Sequence, residues 1–373
     1  MTVRVYERIA DVEPDLWDGL GPDPLSNHAT LRALERGNVP GVSLRYAVVR
    51  DAKGDAVAAA PLAVVDVDGG RLTHGLFRST VSAVRSVYGR FLHTSILVCG
   101  TPLSVGNPPV RMANGKDRPA VFRELAGVVT ELSQEEKVPW QVFKEFAAPE
   151  LESARRSMPN GWIVAPSEPN NVMRIEWPCF EDYLSCLRSH YRYKMRSERR
   201  QADAAGVTSA VVPLNGNYDE GLHALYESVL DRAEVQFERL TSAFFEALGQ
   251  EHGDAAKLLL MRREGRVVGW VVMLIADGVA YDLFHGIDYA ENEPNALYFN
   301  QLAEVVRVAI DCRVRRLSLG QSTDVAKARF GAVTAPLWIA LRHQNAAVRW
   351  VLRQGRRVMF PAKEVPARHV FRQ

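Results

Sequence analysis

Two apolar runs, Val267-Val-Gly-Trp-Val-Val-Met-Leu-Ile-Ala276 and Val279-Ala-Tyr-Asp-Leu-Phe-His-Gly-Ile287, flank the dipeptide Asp277-Gly278. An Asp-Gly pair between such runs is the signal of a two-residue hairpin turn, because both turn residues must take positive φ. The first run is ten residues long, too short to cross a bilayer, and reads as a buried strand. Lys257 to Met261, joined through Glu264-Gly265, adds a third strand before the pair. Downstream, Pro294 opens a helix to about Cys312, with Leu297, Leu302, Val305, Val306 and Ile310 spaced for one buried face. A strand at Leu317 to Leu319, a short helix at Thr323 to Phe330 and a strand at Leu337 to Leu341 complete the unit. Upstream lie a strand, Val207 to Pro213, and two helices. The first is Tyr218 to Val235; the second is capped by Thr241 or Ser242 and buries Phe244, Phe245 and Leu248. The order is β-α-α-β-β-β-α-β-α-β.

The first half carries a weaker copy of that order. Strands are expected at Val3 to Arg8, Leu44 to Arg50, Ala56 to Val67 and Trp140 to Phe146, with helices near Leu16 to Leu20, Ala29 to Arg36 and Pro119 to Glu135. Ala29-Thr-Leu-Arg-Ala-Leu34 matches Ala243-Phe-Phe-Glu-Ala-Leu248, and each precedes a strand, a turn glycine (Gly54, Gly265) and a longer apolar strand. The repeat distance, roughly 210 residues, is far above solenoid periods and implies two similar domains. A length of 373 residues agrees, at roughly 150 residues per domain. The expected division is 1–165, 166–342 and a basic extension, 343–373, in an α/β chain of two layered domains.

The apolar share of 47% and charged share of 24% exclude a disordered chain, and 26 Gly with 20 Pro exclude a collagen-like one. The net charge is only +2, so any basic surface is local. Cys99, Cys179, Cys186 and Cys312 form no C-x-x-C pair or zinc spacing, so no metal site or disulfide scaffold is expected. The N-terminus alternates like a strand and lacks an apolar signal core, which makes a cytoplasmic protein without a membrane span the expectation.

Four stretches can carry chemistry. Ser189-His-Tyr-Arg-Tyr-Lys-Met-Arg-Ser-Glu-Arg-Arg200 lies in a helical stretch read from Phe180 to Ala204. It puts Arg192, Arg196 and Arg199 or Arg200 on one face, with Lys194 nearby, either as an anion surface for phosphates or RNA or as a solvated basic face. Leu341 to Gln373 holds eight Arg or Lys against Glu364, with Trp350, Phe360 and Phe371 interleaved; a nucleic-acid contact and an aromatic-packed tail both fit. Gln321-Ser-Thr-Asp-Val-Ala-Lys-Ala-Arg-Phe-Gly331 follows a strand, where polar residues face a cleft, and Lys327 could meet a phosphate or an oxyanion. In Tyr281-Asp-Leu-Phe-His285, plain alternation puts Tyr281, Leu283 and His285 on one face and Asp282 and Phe284 on the other. His285 or Asp282 could be a general base, or His285 a hydrogen-bonded core residue. No nucleophile elbow, Walker loop or G-x-G-x-x-G loop is present.

The hairpin entering a long helix resembles the GNAT acyltransferase fold. The more specific resemblance is to Fem-like, double-GNAT proteins of peptidoglycan biosynthesis and recognition. It rests on Trp17-Asp-Gly-Leu20, Pro24-Leu-Ser-Asn-His28, Arg45 to Asp51 with Ala58-Ala-Ala-Pro-Leu62, Tyr193-Lys-Met-Arg-Ser-Glu-Arg-Arg200 with Ala205-Gly-Val207, and Leu240-Thr-Ser-Ala-Phe-Phe-Glu-Ala-Leu248. Gly320-Gln-Ser322 and Lys327-Ala-Arg-Phe-Gly331 match near the end. The resemblance implies two tandem GNAT-like domains, each a mixed, mostly antiparallel sheet flanked by helices. It also implies transfer of an acyl group, often an aminoacyl group from aminoacyl-tRNA, onto an amine in the cleft between domains. Lys327 looks like the family's contact to the terminal phosphate of the donor tRNA. Tyr281, Tyr298, Gln321, Ser322 and Arg329 would face the substrate, and Arg192, Lys194, Arg196, Arg199 and Arg200 the RNA. No resident cofactor is implied.

Ordinary GNAT enzymes hold the acyl-CoA pyrophosphate on a glycine-rich turn before the long helix. Here that turn reads Asp288-Tyr-Ala-Glu-Asn-Glu-Pro-Asn295, without glycine and with Glu291 and Glu293. An acyl-CoA or carrier-protein thioester is therefore the second choice of donor. A non-catalytic binding module is a third reading. The acceptor, a small amine or a peptidoglycan precursor, and the oligomeric state are not legible.

Overall fold

The computed structural model describes residues 1–68, 93–103, 105–233, 238–363 and 368–372. In chain order the strands are β1 (Thr2–Tyr6), β2 (Val42–Arg50), β3 (Ala56–Asp68), β4 (His93–Cys99), β5 (Arg111–Met112), β6 (Trp140–Ala147), β7 (Ile163–Pro166) and β8 (Asn170–Arg174). They continue with β9 (Thr208–Pro213), β10 (Ala256–Arg263), β11 (Arg266–Ala276), β12 (Val279–Ile287), β13 (Arg316–Ser318), β14 (Val333–Ala335) and β15 (Leu337–His343). They form two mixed sheets in two compact units, one built on residues 1–168 with 336–363, the other on 169–233 with 240–335.

The first sheet runs β1-β2-β3-β4-β6-β15-β7, with β5 beside β3, and the second, from the other edge, β9-β10-β11-β12-β13-β8-β14. Place for place they match. In each, the pairing of the fourth strand with the fifth is parallel (β4 with β6, β12 with β13), and the other pairings among the described residues are antiparallel. A parallel neighbour needs a crossover. The helices Arg118–Glu135 and Leu297–Asp311 make it in the two units. Each buries one face on its sheet: Phe122, Leu125 and Val129 in the first, and Leu302, Val305, Val306 and Ile310 in the second. Burying each such side chain contributes about 1.5–3 kcal/mol. The opposite face of the second sheet carries an aromatic cluster of Tyr218, Phe245, Trp270 and Phe284.

Three expectations are corrected. The strand at Leu337 to Leu341 does not close the second unit: β15 lies between β6 and β7 of the first sheet. Likewise β8, which directly follows β7 in the chain, fills the matching place between β13 and β14. Each unit's sixth strand thus comes from chain that has just left the other sheet, an exchange that alternation within a strand does not encode. Second, Phe180 to Ala204 is two helices, Phe180–Cys186 and Ser189–Ala204. Leu187 pairs as a β-bridge with Phe371, and Val370 and Cys186 carbonyls accept from Arg188 and Arg372 amides. Phe371 packs on Trp177 at 5.2 Å, so the tail's end is a packing element. Gly331, at φ 93°, makes room for it: a Cβ there would lie 2.3 Å from Phe371 Cζ. Third, Pro294 does not open the long helix but lies inside a separate short one, Tyr289–Asn295, with Ala296 left-handed at φ 50° before Leu297.

Candidate active site

The site begins with an irregularity in β12. Val272 pairs with Phe284, yet Met273 pairs with Asp282, so Leu283 is an extra residue. Such a bulge resets the alternation and re-aims side chains. Plain alternation would separate Asp282 from His285. The bulge instead brings them together on the side of the helix Leu297–Asp311, with His285 Nε2 at 2.9 Å from Asp282 Oδ1. The expected grouping of His285 with Leu283 is therefore overturned. Asp282 is buried and His285 mostly so, and neither Asp282 oxygen has a well-aligned hydrogen-bond donor among the described residues, which makes the close approach an ion-pair contact.

Gln301, fully buried on that helix, sets the protonation of the pair. Its Nε2 donates to the carbonyls of Trp270 (3.2 Å) and Gly286 (3.0 Å), which turns Oε1 toward His285 Nδ1 at 3.1 Å. Nδ1 must then donate. A bare Nε2 lone pair facing a carboxylate would be repulsive, so Nε2 carries its proton toward Asp282. Burial works to lower the His285 pKa, as does the Lys327 charge, but the Asp282 charge and the polar contacts with Asp282 and Gln301 outweigh them and raise it. Gly269 is needed for this arrangement: a Cβ there would stand 2.7 Å from Gln301 Nε2.

Beside the dyad runs the loop after β13. Gly320, Ser322 and Thr323 all have positive φ, of 69°, 62° and 48°. A β-branched residue there is strained, and such strain concentrates at functional sites. Asn171, buried on β8, holds the loop: its Nδ2 donates to Gly320 O (3.1 Å) and to Asp324 Oδ1 (2.7 Å), and its backbone N–H to Gly320 O (3.0 Å). Lys327, 4% exposed, donates to Gln321 O at 2.7 Å. Tyr298 meets Thr323 Oγ1 at 2.7 Å and its ring lies 5.7 Å from that of His285; burial first, then the nearby acids, raise its phenol pKa against the Thr323 hydrogen bond. The structure thus gathers Asp282, His285, Tyr298, Gln321, Ser322 and Lys327 around the strand end. Tyr281, half-buried, points to the other face of β12. Arg329 is held by Glu198, at 2.8 and 3.0 Å, and lies 4.0 Å over the Phe299 ring, so it is a fixed cation within the unit.

The basic helix Ser189–Ala204 borders a groove of about 780 Å³ with Phe180, Leu184, Met195 and Ala303 among its apolar lining residues. Its cations divide. Arg192 donates to the Ser185 and Leu187 carbonyls. Arg199 meets buried Glu304 at 2.5 Å, a carboxylate shared with Arg307. Lys194, Arg196 and Arg200 are exposed and have no carboxylate partner among the described residues.

Sequence reasoning missed Gln301, Glu304, Asn171 and Glu198. A signal existed for two. Gln301 and Glu304 sit four and seven residues after Leu297, at positions that periodicity assigns to the apolar face. A buried polar residue there implies a dedicated partner. The turn before the long helix also reads differently in three dimensions. Glu291 is neutralised by Arg263 (2.6 Å) and Arg266 (3.3 Å), and Asn292 Oδ1 already accepts from the Tyr298 amide at 3.0 Å. Among the described residues no group of three or more His, Cys, Asp or Glu could hold a metal ion, and no helix is long and apolar enough to cross a membrane.

A family model described as FemAB-like, peptidoglycan biosynthesis/recognition, matches residues 8–354. No curated protein matches the sequence. Among solved structures, FemX aligns with a TM-score of 0.57 at 12% identity, covering 95% of this chain and 100% of that one. A conserved protein of unknown function from Bacteroides thetaiotaomicron aligns with a TM-score of 0.54 at 11% identity over 92% of this chain and 100% of its own. A tandem GNAT protein from the clavulanic acid biosynthesis pathway gives 0.52 at 14% identity over 92% and 99%. At these identities the likeness is one of fold.

Proposed function

The chain belongs to the FemAB-like family of peptidoglycan biosynthesis and recognition, and on that footing we propose that it is an acyltransferase forming an amide from aminoacyl-tRNA and an amine acceptor. The observation that carries this reading is the His285–Asp282 dyad on the bulged strand, with His285 Nε2 2.9 Å from Asp282 Oδ1. In the transfer the acceptor nitrogen attacks the ester carbonyl, a C–N bond forms, and the bond to the terminal ribose oxygen breaks. One proton leaves nitrogen and one reaches the ribose oxygen. A protonated dyad suits that exchange: imidazolium gives its proton to the departing oxygen and the new ammonium restores it. Much of the remaining acceleration is positioning, because the ester is already activated.

Lys194, Arg196 and Arg200 are the cations that remain for RNA phosphates. Lys327 acts from beneath the loop, bracing Gln321 and placing positive charge near the dyad. Acyl-CoA is the weaker choice of donor because Asn292 already occupies an amide at the start of the long helix.

The test is transfer of a labelled amino acid from bulk charged tRNA to amine acceptors, peptidoglycan precursors included, beside CoA calorimetry. Label transfer that is lost in His285→Ala supports the reading. Binding of CoA without tRNA binding or transfer overturns it.

A further inference from the structure

The first unit carries a surface that the transfer reaction does not use. The helix Ala346–Met359 has four arginines, Arg349, Arg353, Arg356 and Arg357, and no acid. It rests on β7 and β15 through Leu352, with Val348 half-buried beside it. Outward it presents Trp350 at 64% exposure, Val351 at 52% and Val358 at 86%. At 3.6 residues per turn, Val351 and Val358 fall on one stripe and Arg353 and Arg357 on another, with Trp350 between. A basic pocket of about 630 Å³ opens beside the arginine stripe. Arg155, Arg353, Arg356 and Arg357 line it with Trp162 and Met158, and no acid lines it. Nearby, burial and the Arg349 guanidinium pull Arg342 below its ordinary pKa.

We infer that this helix docks the first unit on an anionic bilayer surface, with Trp350, Val351 and Val358 in the headgroup layer and lipid phosphates on Arg353, Arg356 and Arg357. Both halves of the pattern are needed for such a surface: an exposed apolar stripe and a cationic one on a single helix are the mark of an interfacial helix. RNA would use the arginines and could stack on Trp350, but it gives exposed valines nothing to contact. Aliphatics left more than half exposed beside an exposed tryptophan mark a surface that meets apolar matter.

The test is flotation of the full chain with vesicles of phosphatidylcholine alone or with three parts in ten of phosphatidylglycerol, at low and physiological salt. Binding is expected only to the anionic vesicles. Val351→Ser with Val358→Ser should weaken it about tenfold, by removing inserted apolar area. Arg353→Gln with Arg357→Gln should weaken it tenfold or more, since each cation near such a surface is worth roughly fivefold. These side chains are exposed, so unchanged thermal melting verifies the fold of each variant. The inference is overturned if the chain does not float, or if the valine pair has no effect while the arginine pair does. It is also overturned if the valine pair weakens tRNA binding equally, or if it dissolves a dimer seen by sedimentation without vesicles.

Discussion

The fourth strand of each sheet occupies the same place, yet β4 and β12 differ in what they carry. β4 pairs with β3 in unbroken register and offers Ile96, Leu97, Val98 and Cys99 at the end where it meets β6, with no acid or base among these four. β12 is broken by the extra Leu283 and carries Asp282 and His285 face to face. The sixth strands differ in the same sense. β15 opens on Leu337-Trp338, β8 on Asn170-Asn171, whose second side chain braces the strained loop at Gly320 to Thr323. One scaffold occurs twice, and in the second copy a bulge in the fourth strand brings an acid and an imidazole together beside a braced loop, which makes the candidate site. Chemistry follows from local breaks in regularity more than from the fold, which the two units share.

The sharpest way to break that contrast is to remove the imidazole. His285→Ala should lower the rate of transfer by about 10²–10⁴-fold, whereas Ser95→Ala on β4 should leave it unchanged; equal losses would mean the two strands are equivalent. Next, Arg196→Ser with Arg200→Ser should weaken tRNA binding and reduce the salt slope in filter binding by about 1 to 2 units. The paired Arg199 should matter to stability, so Arg199→Ser should lower the melting temperature. Asn171→Ala removes one donor each from the Asp324 carboxylate and the Gly320 carbonyl and should cost about 1–3 kcal/mol in denaturant unfolding. Smaller still is a pH effect. The folded His285 pKa is raised above its unfolded value. The stability it contributes is therefore complete below the unfolded value of about 6.5 and is lost as pH rises through the raised folded value. Melting temperatures of His285→Gln should lack that decline.

Much of the fold is legible because it is written in short-range patterns. The hairpin at Asp277-Gly278, the apolar face of Leu297 to Ile310 and the duplicated order all follow from residues close in sequence. The exchange of β8 and β15 is not, because Leu337-Trp-Ile-Ala-Leu341 satisfies alternation in either sheet. The candidate site divides likewise. His285, Asp282 and Lys327 can be singled out by type and place on strand or loop. Their union depends on a bulge at Leu283 that has no composition signal, and on Gln301, whose amide is oriented by two carbonyls distant in sequence. The basic helix reads from sequence as one charged face, while Glu198 and Glu304 pair with Arg329 and Arg199 and leave a smaller set free.

The most direct measurement is the pH–rate profile of single-turnover aminoacyl transfer from charged tRNA, for the unmodified chain and for Asp282→Asn. If the dyad delivers the proton, the rate falls at high pH as the raised His285 proton is lost, and Asp282→Asn moves that fall to lower pH by removing the charge that raises it. A high-pH limb that Asp282→Asn leaves in place would contradict a role for the dyad in the transfer.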